Sequence, residues 1–227
     1  MKNILTLALV CGLTLCAWGG TTTSTNVTVN GLVPDGNPGG TASSVTLGGL
    51  SDAIASVQVN LDITGGYNSD LYAYLVGPQG QFAVLLNRVG LSGSDPFGYG
   101  DTGFNITLTD GSANNIHDYQ AANYSLDPVT GQLTGTWAPD ARNIDPQSAG
   151  SVFDGASTSV ATLGSFAGTL ADGNWTLFIA DLSDGGQSTL VSWGLTVVTV
   201  PEPQVWQIMG GGLVLLILTR KIRAGQI

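Results

Sequence analysis

Between residues 53 and 200, outside an irregular middle stretch, apolar side chains fall in short runs on every second position, and Gly, Asn, Asp and Pro cut the runs at short intervals. A period of two puts alternate side chains on opposite faces of an extended strand; a helix would need a period of 3.6. Val57, Val59, Leu61 and Ile63 share one face of the clearest strand, residues 53–63, with Gln58, Asn60 and Asp62 on the other. Leu71, Ala73 and Leu75 line a second strand, with Tyr72, Tyr74 and Val76 opposite. Pro78-Gln79-Gly80 then turns the chain into Phe82, Val84 and Leu86, predicting a hairpin. Phe104-Ile106-Leu108, Trp175-Leu177-Ile179 and Trp193-Leu195-Val197 repeat the alternation, and a short strand is expected at residues 134–137. Val27-Thr28-Val29 suggests a first strand, followed by a Gly/Pro/Asp loop over residues 31–40. Residues 110–165 are polar and irregular. No convincing amphipathic helix and no fixed-period repeat interrupt this pattern, so the expected class is all-β. Strands apolar in part on both faces suit a β-sandwich of two sheets.

The two ends read as address labels rather than as fold. Met1-Lys2-Asn3 is a short basic start, residues 4–16 are almost unbrokenly apolar, and Ala17-Trp18-Gly19 offers small residues around a cleavage point. Residues 1–19 are therefore expected to be a signal peptide, with signal peptidase as processing partner. The run is shorter than the ~20 residues that a membrane span needs. Leu15 before Cys16 is too large for a lipoprotein site.

At the other end Pro201-Glu202-Pro203 stops the last strand, since two prolines remove ladder donors. A mostly apolar run over residues 205–219, broken by Gly210-Gly211-Gly212, is closed by Arg220, Lys221 and Arg223. Basic residues after an apolar run remain in the cytoplasm and leave the β domain outside. Fifteen residues at ~1.5 Å each span only ~22 Å, short of the ~30 Å hydrocarbon core. A short C-terminal transmembrane helix is expected, acting as a transient anchor; an ordinary single-pass anchor is the alternative.

Both cysteines, Cys11 and Cys16, lie inside the leader. Once the leader is removed, a disulfide scaffold, thiol catalysis and a thiolate metal centre are excluded. Between residues 20 and 200 only Arg88 and Arg142 are basic, against fifteen Asp and no Glu, a net charge of −13. Such a surface repels nucleic acid and anionic lipid, and it could attract divalent cations. The choice of Asp over Glu fits tight turns, where the shorter carboxylate reaches its own backbone.

Two resemblances follow from these residues. The tail, with Pro201, Glu202 and Pro203, the apolar stretch from Val205 and the basic Arg220-Lys221-Ile222-Arg223, resembles the PEP-CTERM sorting signal of Gram-negative bacteria. That implies recognition and cleavage by an exosortase, and delivery to the cell envelope, outer surface or extracellular matrix. The domain at residues 20–199 resembles the P domain (Homo B domain) that follows the catalytic domain of kexin-like and some bacterial subtilases. The carrying residues are Val59-Asn60-Leu61-Asp62-Ile63-Thr64, Ser69-Asp70-Leu71 and Leu75-Val76-Gly77-Pro78-Gln79-Gly80 in one half. Gly173-Asn174-Trp175-Thr176-Leu177, Ala180-Asp181, Asp184-Gly185 and Ser192-Trp193-Gly194-Leu195 carry the other. This resemblance implies a jelly-roll β-sandwich. The family often carries His after the Ile-Thr pair, and here Gly65 stands there.

The expected organisation is thus a signal peptide (1–19), a P-domain-like sandwich (20–199) and a sorting signal (200–227). Catalysis finds little support. The sole histidine, His117, sits in a loop-like stretch and reads as a solvated residue, with no nucleophile elbow in the chain. No carboxylate pair stands out for glycoside hydrolysis. Asp70, Asp181 and Asp184 match the family's most regular acids and are candidate Ca²⁺ ligands, with turn-capping as the plainer role. Tyr72, Tyr74 and Tyr124 are candidates for stacking against sugars, the first two also reading as packing residues. The expected product is an exported, non-catalytic structural or binding module. The alternative is a partner module that stabilises a separately encoded subtilase-type protease or binds polysaccharide.

Overall fold

A computed structural model describes residues 20–200 of the chain. The expected signal peptide (1–19) and the sorting residues Pro201, Glu202, Pro203, Arg220, Lys221 and Arg223, with the apolar run between them, lie outside the described residues.

Eleven strands form the domain: β1 (Thr21–Ser24), β2 (Val27–Leu32), β3 (Asn37–Leu47), β4 (Ala53–Gly65), β5 (Leu71–Val76), β6 (Phe82–Asn87), β7 (Phe104–Leu108), β8 (Ser125–Leu126), β9 (Leu133–Trp137), β10 (Gly173–Asp181) and β11 (Ser188–Val200). The described helices are short: α1 (Gly150–Asp154) and three 3₁₀ turns at Asn68–Asp70, Ile116–Ala121 and Leu163–Phe166. None is long and apolar enough to cross a membrane.

The strands make two sheets. One runs β1-β11-β4-β7-β9-β8, with β2 continuing the β1 edge along β11; the other runs β3-β10-β5-β6. Both are antiparallel except where β9 lies parallel to β7. The alternating residues fill the space between them. Val57, Val59, Leu61 and Ile63 from β4, with Trp193, Leu195 and Val197 from β11, meet Leu71, Ala73 and Leu75 from β5 and Trp175, Leu177 and Ile179 from β10. Each fully buried side chain of this size contributes about 1.5–3 kcal/mol. Trp175 Nε1 donates to the Ala171 carbonyl at 2.9 Å, so the indole is buried without losing its hydrogen bond.

Three features depart from the alternation. In β6 a bulge pairs Tyr74 with Val84 but Ala73 with Leu86, so Val84 turns away from the core that Leu85 and Leu86 enter. The stretch at residues 31–40, expected as a loop, contributes Gly31 and Leu32 to β2 and opens β3 at Asn37. β3 is an edge strand, and an edge tolerates the Pro38-Gly39-Gly40 that would break an interior strand. The irregular residues 110–165 add β8 and β9 to the larger sheet and then wrap the outer edge of the smaller one. There Val84 N–H donates to Ala161, while Asp140 and Ala141 N–H donate to Leu85 and Val84. The excursion thereby covers an edge that would otherwise template aggregation.

Candidate functional site

The candidate acids gather at one end of the sandwich, where three connections meet. β4 ends at Gly65, and the chain passes through Tyr67 into the turn Asn68–Asp70 before β5. β10 ends at Asp181, which pairs with Leu71 at the start of β5. Leu182 N–H donates to the Asp70 carbonyl at 2.8 Å, tying the β10–β11 loop to that turn. After β6 the chain bends at Arg88, whose backbone adopts a left-handed φ of 50°. Asp95 Oδ1 then folds the next loop by accepting from the N–H groups of Phe97 and Gly98. Gly98 lies so close to the turn that a Cβ would sit 2.7 Å from the Ser69 Cβ.

These loops enclose an open cleft of about 430 Å³. Ser69, Asp70, Arg88 and Ser183 line it together with Asp184, while Tyr67 and Phe97 stand 48% and 82% exposed. Arg88 Nε donates to the Ser69 carbonyl at 3.2 Å and Nη2 to Ser183 Oγ at 3.4 Å.

The three expected ligands have different fates. Asp70 and Asp184 line the cleft, with Asp70 nearly buried and Asp184 exposed. Asp181 is fully buried. Its Oδ2 accepts from Ser188 Oγ at 3.0 Å and its Oδ1 from Ser183 N–H at 3.5 Å. Burial raises the Asp181 carboxyl to about 6 against those two hydrogen bonds, and the charges of Asp70 and Asp35 add to the rise. Burial also raises Asp70, opposed by the Ser183 hydroxyl, the Arg88 charge and the Ser69 hydroxyl. Asp35, which sequence reasoning passed over, joins this group and accepts from Gly185 N–H at 3.3 Å. Among the described residues no three acidic or histidine side chains converge closely enough to chelate a metal by themselves. A Ca²⁺ ion here would need neutral oxygens as well, and the Ser183 hydroxyl lies beside the acids to supply one.

His117 is not a solvated loop residue. It is 3% exposed and stacks on Phe153, with ring centroids 5.7 Å apart. Its Nδ1 lies 2.8 Å from Asp140 Oδ2, and its Nε2 lies 3.1 Å from the Leu91 carbonyl. Asp140, itself fully buried, is held on its other oxygen by Arg142 at 3.2 Å. A hydrolytic triad would need a hydroxyl at Nε2, where this backbone carbonyl stands. Asn115 starts the arrangement, its side chain accepting from His117 N–H and donating to the Pro139 carbonyl. The partners lie 23 residues apart in an aperiodic stretch, so no local pattern announces them.

Of the sugar-stacking candidates, Tyr72 and Tyr74 are half-buried on the outer face of the smaller sheet, Tyr74 stacked on Phe178 at 4.7 Å. Tyr124, 37% exposed, packs edge-on against Tyr119. None of the three reaches the cleft. Its aromatic walls, Tyr67 and Phe97, stand in loops between strands, outside the periodic pattern that sequence reasoning follows.

A family model described as Proprotein convertase P-domain matches residues 54–197. No curated protein matches the chain. Among solved structures, the serine protease of Aeromonas sobria in complex with its chaperone matches with a TM-score of 0.46 and 17% identity, over 80% of this chain and 27% of that one. The same organism's serine protease alone matches with a TM-score of 0.44 and 16% identity, again over 80% and 27%. The chain thus spans about a quarter of the length of the structures that it resembles. Apart from the outermost residues of β4 and β11, the strands from β4 to β11 and the connections that form most of the cleft fall inside the family match, and the chain belongs to the proprotein convertase P-domain family.

Proposed function

We propose that the chain is an exported, non-catalytic module of jelly-roll type, with a structural or binding role in the cell envelope, outer surface or extracellular matrix. The observation that carries this reading is the P-domain match over residues 54–197, since the P domain is a non-catalytic accessory domain of proprotein convertases. The engagement of both ring nitrogens of His117 by structural acceptors supports it. Signal peptidase and an exosortase would process the ends, the latter at Pro201-Glu202-Pro203 with Arg220, Lys221 and Arg223 as the stop. Mass spectrometry of the surface-associated protein tests this: the expected product lacks residues 220–227, and a product that retains them overturns sorting by cleavage.

Within this reading Ca²⁺ is held near Asp70, Asp181 and Asp184. The ion would neutralise Asp70 and Asp181, whose burial already opposes their charge. Added Ca²⁺ is expected to raise the melting temperature, and Asp181→Asn to remove the rise. A melting curve unchanged by excess chelator would sink the site.

The second reading is a partner module, either for a separately encoded subtilase-type protease or for polysaccharide. Family membership favours the protease form, and the open cleft favours polysaccharide. Pull-down with the tagged chain from its own culture separates them: recovery of a protease supports the first, and retention on deproteinised matrix polymer supports the second.

A further inference from the structure

We infer that the cleft around Arg88 binds a neutral, hydroxylated ring, a hexose unit of a glycan. This inference rests on the polysaccharide reading and gives that reading a place on the molecule. The walls supply the first half of the chemistry. Tyr67 and Phe97 are both exposed beside one cavity of about 430 Å³, a volume within the range of small-ligand sites. Exposed aromatic faces beside a polar floor fit the alternating C–H and O–H surface of a sugar ring.

The floor supplies the second half. Arg88 is held in a left-handed backbone conformation, which strains a residue with a Cβ and persists only where surrounding contacts enforce it. Its N–H donates to the Leu71 carbonyl and its side chain to Ser69 and Ser183, all neutral oxygens. Arg142 has carboxylates of Asp140 and Asp118 within 4.0 Å, whereas Arg88 has none among the described residues. A guanidinium has five N–H donors, and the two described side-chain bonds leave donors free. Asp70 and Asp184 in the same lining are acceptors.

Charge selects among ligands. An anion would meet Arg88 but also Asp70, Asp184 and a domain of net charge −13. An organic cation would meet the acids but also Arg88. A neutral polyol satisfies both, since a hydroxyl accepts from the guanidinium and donates to a carboxylate, and such charge-assisted bonds are the stronger kind.

The test is saturation-transfer NMR on the full chain, run with Ca²⁺ and with chelator. The probes are cellobiose, lactose and mannobiose, against glucuronate and glucosamine. At least one neutral disaccharide is expected to bind in one of the two conditions. Tyr67→Ala and Phe97→Ala should each weaken it by about tenfold or more. Arg88→Gln should do the same, while Val129→Thr, on an exposed loop outside the cleft lining, leaves it unchanged. Because Phe97 is on the surface, that variant folds and its result stands even if Arg88→Gln does not fold. The inference is overturned if no neutral disaccharide binds at about 10 mM, if glucuronate or glucosamine binds more tightly, or if the aromatic variants bind as well as the parent. Retention of Phe97→Ala on matrix polymer at the parent level would sink the cleft and leave the polysaccharide reading standing. Absence of retention by the parent would remove both.

Discussion

At the residue scale the domain is shaped by where its carboxylates point. Of the fifteen Asp residues between 20 and 200, Asp95, Asp127, Asp140, Asp145 and Asp181 accept from backbone N–H groups two or three residues on and so close turns. Others tie distant segments together: Asp110 accepts from Leu163 and Gly164 N–H, and Asp172 from Gly49 and Leu50 N–H. Asp181 differs because its carboxyl is buried and raised from 3.8 to about 6. Between those values the folded chain holds a proton that the unfolded chain has released, so stability falls as pH rises through that window. Without Ca²⁺, Asp181→Asn is expected to flatten this slope. At pH 7 it should stabilise the fold by on the order of 1–2 kcal/mol, less than the full raised value implies because the Ser188 bond must re-form. Urea unfolding of parent and variant on both sides of the window reads the effect directly. Gly194 makes a different local demand. A Cβ there would stand 2.4 Å from the Thr25 carbonyl, and Thr25 N–H already donates to Leu195. Gly194→Ala is expected to displace the edge strand and cost about 1–3 kcal/mol, measured as a lowered urea midpoint.

At the scale of elements, the strands that sequence could locate are those with one apolar face against the core. β5 begins and ends where the alternation of Leu71, Ala73 and Leu75 does, and β4 runs two residues beyond Ile63. β3 was illegible because an edge strand with one exposed flank needs few apolar residues, and Asn-Pro-Gly-Gly looks like a turn. The β6 bulge was illegible because alternation cannot announce its own interruption. The site was legible in part. Asp70 and Asp184 both line the cleft, but Arg88, Tyr67 and Phe97 come from connections whose packing no period encodes. The wrap over residues 110–165 is likewise held, beside its backbone bonds to β6, by the distant partners His117 and Asp140 with Arg142. Asp140→Ala would leave Arg142 and His117 facing an empty acceptor position in the interior. The expected loss is about 3–5 kcal/mol, with proteolysis first appearing in residues 138–166, where the wrap would lift from β6.

At the scale of the whole molecule, stability rests on one apolar core between two sheets, since residues 20–200 contain no cysteine. Trp and Leu side chains of both sheets share that core, so a large deletion anywhere in it should unfold the entire domain cooperatively. Leu61→Ala, fully inside, is expected to cost about 2–5 kcal/mol. A single unfolding transition seen alike by fluorescence and circular dichroism would accompany it. Self-repulsion among fifteen acids adds a dependence on salt: moderate NaCl should raise the melting temperature, with or without Ca²⁺.

The position of β11 has a consequence in time. This strand is the last of the domain, yet it lies inside the larger sheet, with β4 on one side and β1 and β2 on the other. The N-terminal strands therefore have nothing to pair with until nearly the whole domain has been made. A nascent chain that has emerged only as far as residue 187 lacks a central plank rather than a border, and closure must wait for the final thirteen residues. Such late closure keeps the polypeptide threadable for most of its synthesis. It is the state in which a translocation channel that passes only extended chains could accept it.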